Sequence, residues 1–394
     1  MLIRSNWGDE MQVYLDNAAT SQKKPEAVFL AMENFFKQIN CNPGRAGYEL
    51  SLTAGRKVME TRERLARFFN MKEPNEVVFT QNITIALNIA LKGLLGQGDH
   101  VLITGLEHNA VVRPLKALEK DRNISYSIMP TDPQGQVDPV EAAKLIQPDT
   151  RMIVATHASN VMGTLVPIEE LGQLAAEYGL DFVVDTAQTA GCYPVDYKRL
   201  GATVVAFTGH KHLLGPMGIG GFCVSREAAK RMKPLYEGGT GSISDREVQP
   251  DFLPDQFESG TLNTLGIVGL GAAVDYLEQA GLEEIRAKEE KLTGKLLAGL
   301  QELPGVIIYG PQDATRQTGT VAINIQDVDN AELSFVLDKK FGIMTRPGLH
   351  CAPIAHRTMG TFPEGVLRIS IGHFTTEEEV DYLLSSLQKV VDAI

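Results

Sequence analysis

A chain of 394 residues, 43% hydrophobic and 22% charged, has the composition of a soluble globular protein and the length for about two or three lobes. A formal net charge of -12 repels a polyanion on average, which sets nucleic acid aside but leaves room for a local basic site. No stretch reaches the roughly 18 apolar residues of a membrane span. The first ten residues lack a signal-peptide core, and the scattered cysteines form no CxxC pair. A cytoplasmic protein with reduced thiols, no membrane contact and no metal site is expected.

From about residue 50, short β-branched runs alternate with amphipathic stretches. Residues 76–80 read as a strand and 84–95 as a helix, then 99–104 as a strand and 109–119 as a helix. The pattern repeats with a strand at 151–156, a helix at 168–178, and strands at 181–185 and 203–207. Such alternation predicts right-handed βαβ units around a mostly parallel sheet. After about residue 262 two long helices are expected at 266–279 and 282–302. Strands at 305–309, 321–325 and 366–370 and a helix at 376–391 follow. The expected division is an arm at 1–15 packed on the small domain, a large α/β domain at 16–261, and a smaller α+β domain at 262–394.

In open α/β sheets ligands sit beyond the carboxyl ends of the strands. Polar clusters follow five of the predicted strands. Asp185 ends one strand, with Gln188 three residues on. A carboxylate there can pair with a protonated ring nitrogen, or it can simply cap the next helix. Lys211 follows the next strand in Thr208-Gly209-His210-Lys211, well placed to form an imine, although a lone lysine is more often in solvent. The turn before Thr84 offers free N–H groups and a helix dipole to a phosphate; taken alone, plain N-capping is the simpler reading. His108 follows a strand and can stack on an aromatic ring, and Asn160 follows another and reads otherwise as a turn residue. Together the clusters describe a pocket for a phosphorylated, electron-withdrawing ring, which is the chemistry of pyridoxal 5'-phosphate (PLP).

The stretches Tyr14-Leu15-Asp16-Asn17-Ala18-Ala19-Thr20, Asp185-Thr186-Ala187-Gln188, Thr208-Gly209-His210-Lys211 and Ser259-Gly260-Thr261-Leu262-Asn263-Thr264 carry a family resemblance. The sequence resembles the class V aminotransferase branch of PLP enzymes, and within it the cysteine desulfurases and selenocysteine lyases. The resemblance implies a fold-type I homodimer with a mostly parallel seven-stranded sheet and a site at the subunit interface. It implies that Lys211 is the Schiff-base lysine, that Asp185 partners the pyridine nitrogen, that His108 stacks on the ring and that Gln188 bonds its hydroxyl. Thr84, Ile85, Thr208 and His210 would hold the cofactor's phosphate end, joined by Thr261 from the other subunit. Asn160, Arg346 and Arg368 would hold the substrate. The apolar lead-in Ile83-Thr84-Ile85-Ala86 departs from the family pattern.

Cys351 decides between reactions. Gly348 and two prolines make Arg346-Pro347-Gly348-Leu349-His350-Cys351-Ala352-Pro353 a loop rather than a strand interior. A thiol beside His350 and near Arg346 can be a stabilised thiolate or an inert packing group. The segment is similar to the Arg-x-Gly-x-His-Cys-Ala loop of group II cysteine desulfurases, with Pro347 where a small polar residue is common. That resemblance implies conversion of L-cysteine, or L-selenocysteine, to alanine. Sulfur would be held as a persulfide on Cys351 and passed to an acceptor protein or small thiol. Cystine lyase, aminotransferase or epimerase chemistry on the same scaffold, a non-catalytic sulfur carrier, and a metal site at His350, Cys351 and His356 are the rival readings. Cys192 and Cys223 are expected to be packing residues.

Overall fold

The protein is described from a computed structural model covering residues 11–44 and 47–393, so residues 1–10 of the expected arm lie outside it. A two-residue strand, β1 (Val13–Tyr14), is followed by seven strands of one sheet. These are β2 (Val77–Thr80), β3 (His100–Ile103), β4 (Ser125–Ile128), β5 (Thr150–Thr156), β6 (Asp181–Asp185), β7 (Val204–Thr208) and β8 (Gly220–Val224). Their order across the sheet is β2-β8-β7-β6-β5-β3-β4. Pairs among β7, β6, β5, β3 and β4 are parallel. Only β8 runs against its neighbours, β2 and β7.

Successive side chains of each strand point to opposite faces, and two separate apolar cores result. Phe79, Leu102, Ile153 and Val184 enter one core. Val78, Val101, Val154 and Val183 enter the other. Strands buried on both faces read as continuous apolar runs, which is why 151–156 and 181–185 were legible. Helices Ile83–Leu94 and Asn109–Arg122 cover the second face. Helices Glu49–Phe68 and Ile168–Tyr178 cover the first.

The smaller unit has β9 (Val306–Tyr309), β10 (Thr320–Ile325), β11 (Ile343–Met344), β12 (Arg346–Gly348) and β13 (Val366–Ser370). Four of these form an antiparallel sheet ordered β12-β13-β10-β9, while β11 pairs in parallel with β1. Its core joins Leu296 and Leu300 of helix Leu282–Gln301 to Val321, Ile369 and Leu383.

Two expectations need correction. Arg346–Gly348 is a strand, not a loop: β12 lies at the sheet edge, where Pro347 need not donate to a further neighbour. Helix Thr264–Ala280 does not belong with the small domain, because Ile267, Leu270, Val274 and Leu277 join the first core of the large sheet. The helix lies close against Glu49–Phe68, and a Cβ on Gly271 would stand 2.5 Å from Thr61 Oγ1. After this helix the chain enters the small unit's core only from Leu292 onward. Among the described residues no helix is long and apolar enough to cross a membrane.

Candidate functional site

The sheet order sets β7, β6, β5 and β3 side by side, so the polar clusters that follow them open along one edge. Asp185, at the end of β6, is 3% exposed. Burial raises its pKa, while the N–H of Ala187, bonded to Oδ1 at 2.8 Å, and the charge of Lys211 oppose that rise. No helix starts here, so Asp185 shapes a turn rather than capping a helix. Among the described residues only Oδ1 receives a side-chain hydrogen bond. Lys211 follows β7 and is partly buried. Burial pulls its pKa down to about 8, against the upward pull of Asp185, and Arg368 adds to the drop. An amine so placed is neutral far more often than a surface lysine, as imine chemistry requires.

Around this pair several buried polar atoms lack partners: Thr208 Oγ1, Gln188 Oε1 and His157 Nδ1. Gln188 Nε2 is already engaged, donating to Ala18 O at 3.1 Å. His108 caps the helix it precedes, its Nδ1 accepting from Ala110 N at 3.0 Å. Burial, then Lys211, Arg113 and Arg368, push its pKa down to about 4, so the ring is neutral. A buried carboxylate, a low-pKa amine, an orphaned amide oxygen and an orphaned hydroxyl are a mix of acceptors and donors that PLP's ring and phosphate would satisfy. The residues present fit that cofactor.

The N-terminal segment fastens the Lys211 turn. The carbonyl of His210 accepts from Ser21 N and Thr20 Oγ1, both at 3.1 Å, and from Lys24 Nζ at 2.8 Å. The His210 ring meets Thr20 Oγ1 at 3.0 Å, and burial, Lys211 and Lys24 take its pKa down to about 4. Thr84 is exposed at the start of its helix. The N–H of Ile85 is bonded to Asn82 Oδ1 at 3.1 Å, so the capping reading holds for that amide. Thr261 is exposed and lines a cleft with Thr80 and Gln81.

The substrate end is built by the small sheet. Arg346 on β12 stands directly opposite Arg368 on β13. Like charges facing across strands repel, and one carboxylate offsets this. Asp16 Oδ1 accepts from Arg368 Nη2 at 2.7 Å and Oδ2 from Arg346 Nε at 2.9 Å. Arg368 is 2% exposed, not a surface ion pair. Its Nη1 donates to Asn160 O at 2.9 Å, and its buried Nε has no partner. Asn160 Nδ2 in turn donates to His350 O at 2.8 Å.

Cys351 is exposed, on a turn just beyond β12. His350 and Cys351 both adopt positive φ, 50° and 56°, a strained choice for side chains larger than glycine. The turn is held from the large unit: Asn109 N donates to Cys351 O at 2.8 Å, beside the Asn160 bond. Neither His350 nor Arg346 is hydrogen-bonded to the Cys351 sulfur. His350 Nε2 lies 3.0 Å from Arg346 O, its ring stacks on His356, and burial takes its pKa down to about 3. Among the described residues, the cluster close enough to hold a metal is Cys192, His212 and Glu289, not His350, Cys351 and His356. Cys192 and Cys223 are buried, as packing residues should be.

Two residues of this site had no role assigned from the sequence. Asp16 lay inside the quoted Tyr14–Thr20 stretch. Glu107 adjoins His108; it is fully buried and its pKa is pushed up to about 8 by desolvation. Thr104 Oγ1 and Thr156 N both donate to its Oε1, which ties the end of β3 to the end of β5.

The family model "Aminotransferase class-V" matches residues 13–383, and the chain belongs to that family. A probable cysteine desulfurase of Methanothermobacter thermautotrophicus is 36% identical over 384 residues, covering 96% of this chain and 94% of that protein. A cysteine desulfurase of Serratia proteamaculans is 33% identical over 385 residues, covering 96% of this chain and 93% of its own length. Among solved structures, the apo cysteine desulfurase of Thermococcus onnurineus superposes with a TM-score of 0.91 at 33% identity, covering 97% of this chain and 95% of that one. The Escherichia coli cysteine desulfurase CsdA, solved with an S-sulfonic acid, gives 0.87 at 26% identity, with the same coverage.

Proposed function

We propose that this protein is a PLP-dependent cysteine desulfurase that turns L-cysteine into L-alanine and holds the sulfur as a persulfide on Cys351. The observation that carries the reading is the double tether of the Cys351 turn. Asn160 bonds both that turn and Arg368, so the exposed thiol is attached to the pocket that would hold the substrate.

Lys211 would hold PLP, with Asp185 on the ring nitrogen, His108 over the ring and Gln188 on its hydroxyl. Thr208 and His210 would take the phosphate, with Thr84 and Ile85 at the helix start. When bound, PLP supplies the electron sink that makes the substrate's Cα proton labile. Arg368 presents its unpaired Nε to the substrate carboxylate, with Asn160 and Arg346 beside it. Lys211 Nζ moves the Cα proton. Cys351 Sγ forms an S–S bond with the substrate sulfur as the substrate's C–S bond breaks; the carbon takes up a proton and leaves as alanine. No outside oxidant enters, and the persulfide is reversible by transfer to an acceptor protein or small thiol. L-Selenocysteine fits the same steps. Iron–sulfur cluster assembly is one use for sulfur so delivered.

A homodimer would bring Thr261 to the partner's phosphate site. Exposed Phe29, Leu30, Phe36 and Leu50 on two N-terminal helices support such an interface. Four free cysteines suit a cytoplasmic enzyme. The test is alanine release from L-cysteine by the PLP-loaded protein. Release that needs both Lys211 and Cys351 supports the reading, while a Cys351→Ala variant that releases alanine at the wild-type rate overturns it.

A further inference from the structure

Asp16 sits where the reading above does not use it. It reaches the site from the N-terminal segment, between two arginines that face each other across β12 and β13. Both of its oxygens are occupied, one by each guanidinium. The segment is rigidly seated: Asn17 Nδ2 donates to Ser370 O at 2.9 Å, Ala18 N to Ser370 Oγ at 3.0 Å, and Ser370 N to Leu15 O at 2.7 Å. The carboxylate is therefore fixed relative to both guanidiniums, not a mobile side chain that finds them by chance.

The charges around Arg368 can be counted. Arg346 and Arg368 are positive and Asp16 is negative. Lys211 and Asp185 attract each other and balance separately. His108 and His350 both feel the charge of Arg368 and are neutral, their pKa values pushed down, mainly by burial, to about 4 and about 3. One positive charge remains at the substrate end, together with one buried, unpartnered donor, Arg368 Nε. A single carboxylate completes that balance. A second negative group on the ligand would find no uncompensated positive charge there.

We propose that Asp16 is a specificity-determining residue: by neutralising one of two facing arginines it leaves a single positive charge, and so selects amino acids with one carboxylate and an uncharged side chain. This rests on the reading of Arg368 as the carboxylate anchor. It goes beyond that reading in naming the residue that sets how much negative charge the pocket accepts.

The test is equilibrium binding to the PLP-loaded protein, followed through the cofactor's visible absorption, with L-alanine and L-aspartate as probes. Asp16→Asn should raise the affinity for L-aspartate relative to L-alanine by about tenfold or more, the scale of one partly screened charge contact. Asp16→Glu should restore the wild-type ratio. Arg346→Gln should move the ratio the other way, and it carries the test alone if Asp16→Asn fails to fold or to take up PLP. A ratio unmoved in the variants, or both affinities falling in parallel in Asp16→Asn, overturns the proposal, since a merely structural role predicts those results. The assay reads binding and not sulfur transfer. It can fail while Cys351→Ala still loses its persulfide, and the reverse, so the two claims stand or fall separately.

Discussion

The side-chain amide of Asn160 donates to the backbone carbonyl of His350 at 2.8 Å. A residue on the edge of the large sheet thus holds the residue preceding Cys351. Because one such bond contributes about 1 kcal/mol, removing it changes a rate or population by roughly fivefold to tenfold. Asn160→Ala is expected to slow persulfide formation by about that factor while exchange of the substrate's Cα proton with deuterated solvent continues. Equal loss of both would mean that Asn160 serves only the substrate end.

The amine of Lys211 titrates near 8 because burial disfavours its charge, with Asp185 pulling the other way. Only the neutral amine forms an imine. The rate at which cofactor-free protein captures PLP should therefore rise about tenfold per pH unit below about 8 and level off above it. Asp185→Asn removes the charge that raises the Lys211 pKa, so the level region should begin at lower pH. Stopped-flow growth of the visible band reads both effects.

Glu107 carries its proton up to about pH 8 in the folded protein, against an ordinary value of 4.5. Its folded pKa is raised. The stability it contributes is full below pH 4.5 and is lost as pH climbs to about 8, because the unfolded chain releases the proton first. Glu107→Gln keeps shape and neutrality. Its melting temperature relative to wild type should rise across that pH window and stay level above it. A constant offset at every pH would mean that Glu107 is charged in the fold.

Glu258 forms a buried ion pair with Arg62 and also accepts from Phe79 N at 2.7 Å. Glu258→Ala strands a buried guanidinium and a strand N–H. A loss of about 3–5 kcal/mol in denaturant unfolding is expected, as for other broken buried pairs. A loss under about 1 kcal/mol would mean that Arg62 finds water or a new partner.

Strands β3, β5, β6 and β7 and the polar residues that follow them were legible because their signals are local, whereas β4, short and half-exposed, was not read. Asp185, Gln188, Thr208 and Lys211 each stand within a few residues of the end of an apolar run. What escaped lacked such a signal. Asp16 meets its arginines 330 and 352 positions away, and nothing near it in sequence announces them. Strand β8 opens with Gly220-Gly221, which reads as a turn; a Cβ on Gly221 would lie 2.3 Å from Val78 O, so the glycine reflects the close approach of neighbouring strands. Strand β12 was hidden by Pro347 and Gly348, residues that an edge position tolerates. Helix Thr264–Ala280 was read as a helix, but that its apolar face joins the core of the large sheet was not, because an apolar face does not say which partner will cover it.

The most direct test of the central claim is the mass of the PLP-loaded protein after one turnover with L-cysteine. The mass should rise by a single sulfur atom, located on Cys351 by peptide mapping, removed by a reducing thiol and absent from Cys351→Ala. Sulfur on another residue, or alanine and free sulfide from a protein whose mass never changes, would contradict it.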